Sequence, residues 1–440
     1  MSDPELGLKN QKEAEIWVER GDEFFKVEKW TDAIELYNKA IELNPRHQFA
    51  YFKRGSAYSN LEKWDAALSD FNNAIHINNT FTFAYFKRGI VYMEMKFFKK
   101  AIQDFSFAIK HNPAFVFAFY RRGYSYYITR QFDLAIQDFD KAIELNPVYV
   151  LAYYYRGNTY FEKGMVEKAI EDYNKVVDLD PKHENAFLTR GIAFGALKKF
   201  PEAVRDYNSA IKMDPDSILA YNYRGLIYAK LKKHREAVND FEKVIAEDPN
   251  NTDALNNLGI SYFSIKDFEN AIKVYSKAVT LQPESHNLYY NRANAYYYSK
   301  KYQEAAADFD KVIELKPHFP ASYLGKANTL AALEHYKDAF KFYTKALTLN
   351  PKFLQAYIGR ANVYMQMKYF RKAQEDFTLA IEINPNYAQA YLNRGIAFKS
   401  DSRFAEAAED FNTFLYLHKT KDKLNLQVRT WISQMGYTVK

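Results

Sequence analysis

The 440-residue chain contains no cysteine. Disulfides, thiolate-bound zinc, iron–sulfur clusters and a cysteine nucleophile are therefore excluded, and a reducing, cytoplasmic location is expected. Apolar runs are short: none approaches the roughly 18 residues that a membrane-spanning helix needs. Met1 to Lys12 is charged and has no apolar segment, so no secretory leader is expected. The nine histidines are scattered, with His47, His183, His286 and His318 at junctions between segments, and neither an HExxH sequence nor an i, i+4 pair occurs. Glycine-rich phosphate loops are missing, as is any nucleophile triad or isolated carboxylate pair. Neither enzymatic activity, nor a metal site, nor a cofactor is expected.

What remains is periodic. Of 13 prolines, ten are Pro45, Pro113, Pro147, Pro181, Pro215, Pro249, Pro283, Pro317, Pro351 and Pro385. They are 34 residues apart except for one gap of twice that length, whose midpoint is Asn79 in an Asn-Asn pair that also suits a turn. In this frame twelve repeats run from residue 14 to 421, each numbered 1 to 34 below. Position 20 is alanine in all twelve (Ala33 to Ala407) and position 24 is Phe or Tyr in all twelve (Tyr37 to Phe411). Position 8 is glycine nine times, and alanine at Ala293, Ala327 and Ala361. Position 11 is aromatic in every repeat except the one with Leu330. Positions 4, 7, 8 and 11 share one face of a first helix, and positions 20, 24, 27 and 28 one face of a second. The residue before each proline avoids helical geometry and ends the unit.

This pattern resembles the tetratricopeptide-repeat family over residues 14–421. The resemblance implies an all-α fold, a right-handed superhelical α-solenoid of helix-turn-helix repeats, in which each pair buries its faces against its neighbours. Residues 1–13 are expected as an N-terminal extension. Residues 422–440 are expected as a capping helix, with Leu424, Val428, Trp431, Ile432 and Met435 on one face and Gly436 at its end.

Where the family commonly has leucine at position 7, ten repeats here have arginine, and nine of those have aspartate at position 23. The eighth repeat replaces both, with Leu258 and Val274; the first has Arg20 with Leu36, and the tenth Lys326 with Phe342. This covariation predicts a bidentate Arg–Asp bridge between the two helices of one repeat. Ten of the 61 Lys and Arg residues are thereby structural, which weakens any reading of the +7 net charge as a nucleic-acid footprint.

The resemblance also implies that the first helices line a concave groove that binds an extended peptide segment, making the chain a protein–protein interaction scaffold or adaptor. The expected contacts in repeats two to five are Phe49, Phe52, Phe83, Phe86, Phe117 and Tyr120 at positions 2 and 5. Lys53, Lys87 and Arg121 edge them at position 6, with Tyr124 and Tyr155 nearby. A protein or peptide partner with aromatic and acidic residues would suit them. A second, polar series comprises Asn158, Asn257, Asn291, Asn294, Asn328 and Asn362, and Leu255-Asn256-Asn257-Leu258-Gly259 resembles the asparagine-lined groove of O-linked N-acetylglucosamine transferase. Asparagine hydrogen-bonds peptide backbone whatever its sequence. The carboxylate clamp of Hsp70 and Hsp90 co-chaperones requires lysine at position 5, which no repeat has, so that role is not expected. A permanent structural subunit of a larger assembly is the alternative. Single-stranded nucleic-acid binding, which also combines aromatics with basic charge, ranks lower.

Overall fold

In the computed structural model, which describes residues 3–420 and 422–440, every repeat is a pair of antiparallel helices. The first occupies positions 1–13, as in Gln48–Asn60, and the second positions 17–30, as in Trp64–Ile77. Among the described residues there are 25 helices and no strand. The opening helix extends back to Asp3 as Asp3–Lys26, continuous with the first repeat. Met1 and Ser2 of the N-terminal extension, and Lys421 at the last position of repeat twelve, lie outside the described residues.

Two turn chemistries punctuate the chain. Before each proline the backbone is extended, as at Asn44 (φ −137°, ψ 90°). There the Asn or Asp side chain accepts from the amide two residues on, for example Arg46 N–H to Asn44 Oδ1 at 3.0 Å. Asn78 makes the same turn to Thr80 without proline. Between the helices of a repeat lies a Schellman motif: Glu62 N–H donates to the Ser59 carbonyl and Lys63 N–H to the Tyr58 carbonyl. The motif places position 15 in the left-handed region, and eleven of the twelve residues there are not glycine, Glu62 (φ 56°) and Lys232 (φ 60°) among them; only Gly164 is suited to it. Each of the others stores backbone strain. Replacing exposed Glu62 by glycine is therefore expected to stabilise the chain by about 1 kcal/mol, read as a higher denaturant midpoint.

The core differs from expectation on the first helix. Its fully buried positions are 3, 8 and 10 rather than 4 and 11. Position 3 is Ala50, Ala84, Ala118, Ala152 and Ala186 in repeats two to six, and position 10 includes Ala57, Val91, Ser125 and Thr159, all inaccessible to solvent. The buried hydroxyls of Ser125 and Thr159 are satisfied by the carbonyls of Arg121 and Tyr155, one turn back. Small residues at these positions let each first helix lie close against its own second helix and the next repeat.

The described residues divide into two compact units, one ending at Ala220 and one beginning at Tyr221. Within each unit, first helices of consecutive repeats touch, as Asp3–Lys26 touches Gln48–Asn60 and Pro320–Ala332 touches Leu354–Gln366, while consecutive second helices stand further apart. A row that closes on one side and splays on the other curves toward the closed side, so the first helices form the inner wall of each unit. At the C-terminal end, Val428 and Ile432 of the helix Lys423–Gln434 are buried against Phe411, Phe414 and Leu392, flanked by Leu424, Trp431 and Met435. This closes the apolar face that repeat twelve would otherwise present to water.

Candidate peptide-binding face

The Arg–Asp bridges set the wall behind this face. In nine repeats, Arg Nε and Nη2 donate to both oxygens of the Asp in the same repeat at 2.6–2.9 Å. Rings at positions 4 and 11 flank the guanidinium, as Tyr85 and Tyr92 flank Arg88 at 5.2 and 5.9 Å. Burial works against the charge of Arg88, and the hydrogen bonds and charge of Asp104 outweigh it, raising its pKa. The third donor, Nη1, reaches position 25 of the preceding repeat: Asn38 from Arg54, Ser106 from Arg122, Thr378 from Arg394. That inter-repeat staple escaped the sequence reading, although every residue at position 25 is Asn, Ser, Thr, Asp or Glu, all acceptors. In the eighth repeat Leu258 and Val274 pack together in place of the ion pair. Lys326 is buried and bonds the preceding repeat through Asp310 at 2.6 Å and the Ala306 carbonyl at 3.1 Å.

In front of this wall the expected aromatic strip divides in two. The position 2 rings are open: Phe49, Phe83 and Phe117 are 47%, 53% and 56% exposed. The position 5 rings are packed. Phe52 and Phe86 are half-buried, and Tyr120 retains only 5% of its surface. They are therefore the floor of the face, and the expectation of one open strip from positions 2 and 5 is corrected for Tyr120 above all. The cause is position 34, which the sequence reading did not use: Phe81, Phe115 and Tyr149 insert their rings between positions 2 and 5 of their own repeats. Phe81 lies 5.3 Å from Phe49 and 5.1 Å from Phe52; Phe115 lies 5.6 Å from Phe83 and 4.6 Å from Phe86. Tyr149 lies 5.7 Å from Phe117 and 5.2 Å from Tyr120. These are edge-on and tilted contacts that hold the open rings in place. Burial, partly offset by Arg121, pushes the Tyr149 hydroxyl up to about 12. Tyr124 and Tyr155 pack edge to face at 4.9 Å, and Tyr155 lies 6.0 Å from Tyr120, extending the ring cluster.

The position 6 cations do not behave alike. Lys53 is paired with Asp22 at 3.0 Å. Arg121 lies over Tyr120 at 5.5 Å. Lys87 is solvent-accessible yet surrounded by protein, as a side chain on an inner wall is; burial first, and then the charge of Arg121, pull its pKa below the usual lysine range.

The asparagines are largely engaged. Asn158 and Asn328 accept from the position 24 hydroxyls of Tyr173 and Tyr343 at 2.8 and 2.7 Å. Asn291 donates to Asn256 at 2.9 Å, and Asn294 to the Tyr290 carbonyl one turn back at 2.8 Å. Asn257 is half-buried and Asn362 exposed. Asn328 and Asn362 line one cavity of about 390 Å³ with Tyr297, Tyr336 and Gln366, and Asn158 lines another of about 210 Å³ with Tyr127, Phe161 and Thr189. The asparagines thus fall in separate places instead of forming a continuous ladder. Among the described residues no group of His, Asp and Glu is placed to hold a metal ion, and no helix is long and apolar enough to cross a membrane.

Comparison with known proteins agrees with this architecture. The family profile of the tetratricopeptide repeat protein 21 N-terminal ARM repeat matches residues 151–374. Tetratricopeptide-repeat profiles match residues 21–62, 116–149 and 358–419, the second of these in the same register as repeat four here. No curated protein matches the chain. Among solved structures it is similar to yeast Tom70, with 19% identity, 97% of this chain and 96% of that chain covered, and a TM-score of 0.40. It is also similar to the APC/C hetero-tetramer Cut9–Hcn1 (12% identity, 96% of each chain, TM-score 0.45). A third is YrrB, described as a TPR protein with an unusual peptide-binding site (22% identity, 43% of this chain, 97% of that one, TM-score 0.36). With its 34-residue frame, its helix pairs and these profiles in agreement, the chain belongs to the tetratricopeptide-repeat family.

Proposed function

We propose that this chain is a non-enzymatic interaction scaffold whose first-helix face in repeats two to five binds an extended segment of a partner protein. One observation carries the reading: Phe49, Phe83 and Phe117 stand open at the same position of three consecutive repeats, each held by rings beneath it. Leu151 continues the row in repeat five. Open apolar rings in register on an inner wall are an interaction surface. The bridge arginines are consumed within the wall, which favours a protein ligand over a nucleic acid.

The test is a random-peptide display selection on the full chain, followed by affinity measurements on Phe49→Ala/Phe83→Ala/Phe117→Ala. The rings at position 2 are open, so the variant is expected to melt as the wild type does and to bind the selected peptides at least about ten-fold more weakly. Peptides that bind this variant undiminished, and are lost instead by Asn328→Ala/Asn362→Ala, would move the site to the asparagine-lined cavity.

A further inference from the structure

We infer that Lys87 and Arg121 form an anion-reading step on this face, taking an acidic side chain of an extended partner segment whose apolar side chains recur every third residue. The inference rests on the groove reading proposed above.

Position 6 lies close to position 9 of the repeat before it at several junctions, as Thr189 and Asn158 line one cavity and Gly359 and Asn328 another. In repeat two the contact is complete: Lys53 Nζ donates to Asp22 Oδ2 at 3.0 Å. The equivalent partners of Lys87 and Arg121 are Ser56 and Ile90, neither of which carries charge. The Ser56 hydroxyl is already used, donating to the Phe52 carbonyl at 2.9 Å. Among the described residues no carboxylate comes within ion-pair distance of Lys87 or Arg121, so the position that is neutralised in repeat two carries uncompensated positive charge in repeats three and four, where each cation feels the other. Like charges on an inner wall disfavour each other, and a carboxylate placed between them is bound by both. Tyr120 beneath Arg121 holds the guanidinium in place.

The open rings Phe83 and Phe117 belong to the same two repeats as these cations. Packed helices lie about 8–10 Å apart, and an extended chain in the polyproline II conformation returns to the same face every third residue, advancing about 3.1 Å per residue. Consecutive repeats therefore meet every third residue of the ligand. An apolar side chain against Phe83 is followed three residues later by one against Phe117, with the acidic side chain between them.

The experiment is fluorescence anisotropy on the full chain with two labelled peptide pools, Leu-x-Asp-Leu-x-Asp-Leu-x-Asp-Leu and its Asp→Asn counterpart, x being Gly, Ser or Gln. The wild type is expected to bind the Asp pool about ten-fold more tightly. Lys87→Gln/Arg121→Gln, with an unchanged melting temperature, is expected to remove that preference. Asp22→Asn, which releases Lys53, should sharpen it. Equal binding of both pools by the wild type, with Phe49→Ala/Phe83→Ala/Phe117→Ala weakening both, would overturn the anion step and leave the groove reading intact. An Asp preference that survives Lys87→Gln/Arg121→Gln would overturn the assignment to these residues. Binding of neither pool, or tighter binding of a labelled oligothymidylate than of either, would overturn both readings.

Discussion

Arg292→Leu is expected to destabilise the chain by about 3–5 kcal/mol, because it strips a buried carboxylate of its partner. Asp308 is 9% exposed and accepts both of its close hydrogen bonds from Arg292, at 2.7 and 2.8 Å. Burial pushes this carboxyl up even with the guanidinium in place. Without Arg292 it must be protonated or drag water into the repeat. The chain supplies its own control, since repeat eight performs the same task with Leu258 and Val274. The double variant Arg292→Leu/Asp308→Val copies that solution and is expected to recover most of the loss, leaving the Arg292–Ser276 staple, 3.2 Å, as the missing part. Denaturant unfolding of the two variants checks this directly. If Arg292→Leu unfolds at the wild-type midpoint, the bridge is not structural.

Gly325→Ala is expected to cost about 1–3 kcal/mol, the range for an overpacked core. In most repeats the position 24 ring lies beneath the position 8 glycine of its own repeat: a Cβ on Gly123 would stand 2.9 Å from the Phe139 ring. Repeats nine and ten have Ala293 and Ala327 there, and both are buried against that ring. In these two repeats the next repeat supplies the missing space. A Cβ on Gly325 would meet Phe309 at 2.3 Å, and one on Gly359 would meet Tyr343 at 2.4 Å. The ring has thus moved from position 8 of its own repeat to position 6 of the next. The damage from Gly325→Ala is accordingly expected to be relieved by Ala293→Gly, which gives Phe309 its usual place. Thermal melts of the single and double variants would show it, and additive losses would contradict it.

Much of this was legible in the sequence, and what was not has a common cause. The frame, both helices, the capping face of Val428 and Ile432 and the pairing of Arg54 with Asp70 follow from spacing within one repeat, where helical geometry fixes which residues share a face. Features that depend on how one repeat turns against the next were not legible. The role of position 25 acceptors such as Asn38 is hidden within one repeat because their donor is an arginine in the following repeat. Tyr120 read as open because the ring that covers it, Tyr149, comes from a turn. Ser125 and Thr159 have polar side chains, yet they are buried because each returns its hydroxyl to its own helix. The left-handed residue at position 15 was hidden because glycine, its usual mark, occurs there only at Gly164.

The face itself divides by the same principle. Its composition was legible, because Phe49, Phe83 and Phe117 recur in frame. Which of the rings are open was not, because exposure is decided by position 34. Lys53 and Lys87 look equivalent in sequence and differ only in what the preceding repeat places opposite them.

Photo-crosslinking shows directly whether an extended segment lies along the first-helix face. A benzoylphenylalanine would replace Phe83 in one variant and the exposed Asn73 of a second helix in another, each irradiated with a display-selected peptide. An adduct is expected at residue 83, suppressed by excess unlabelled peptide, and none at residue 73. Adducts at residue 73 alone would place the ligand on the opposite face and contradict binding along the first helices.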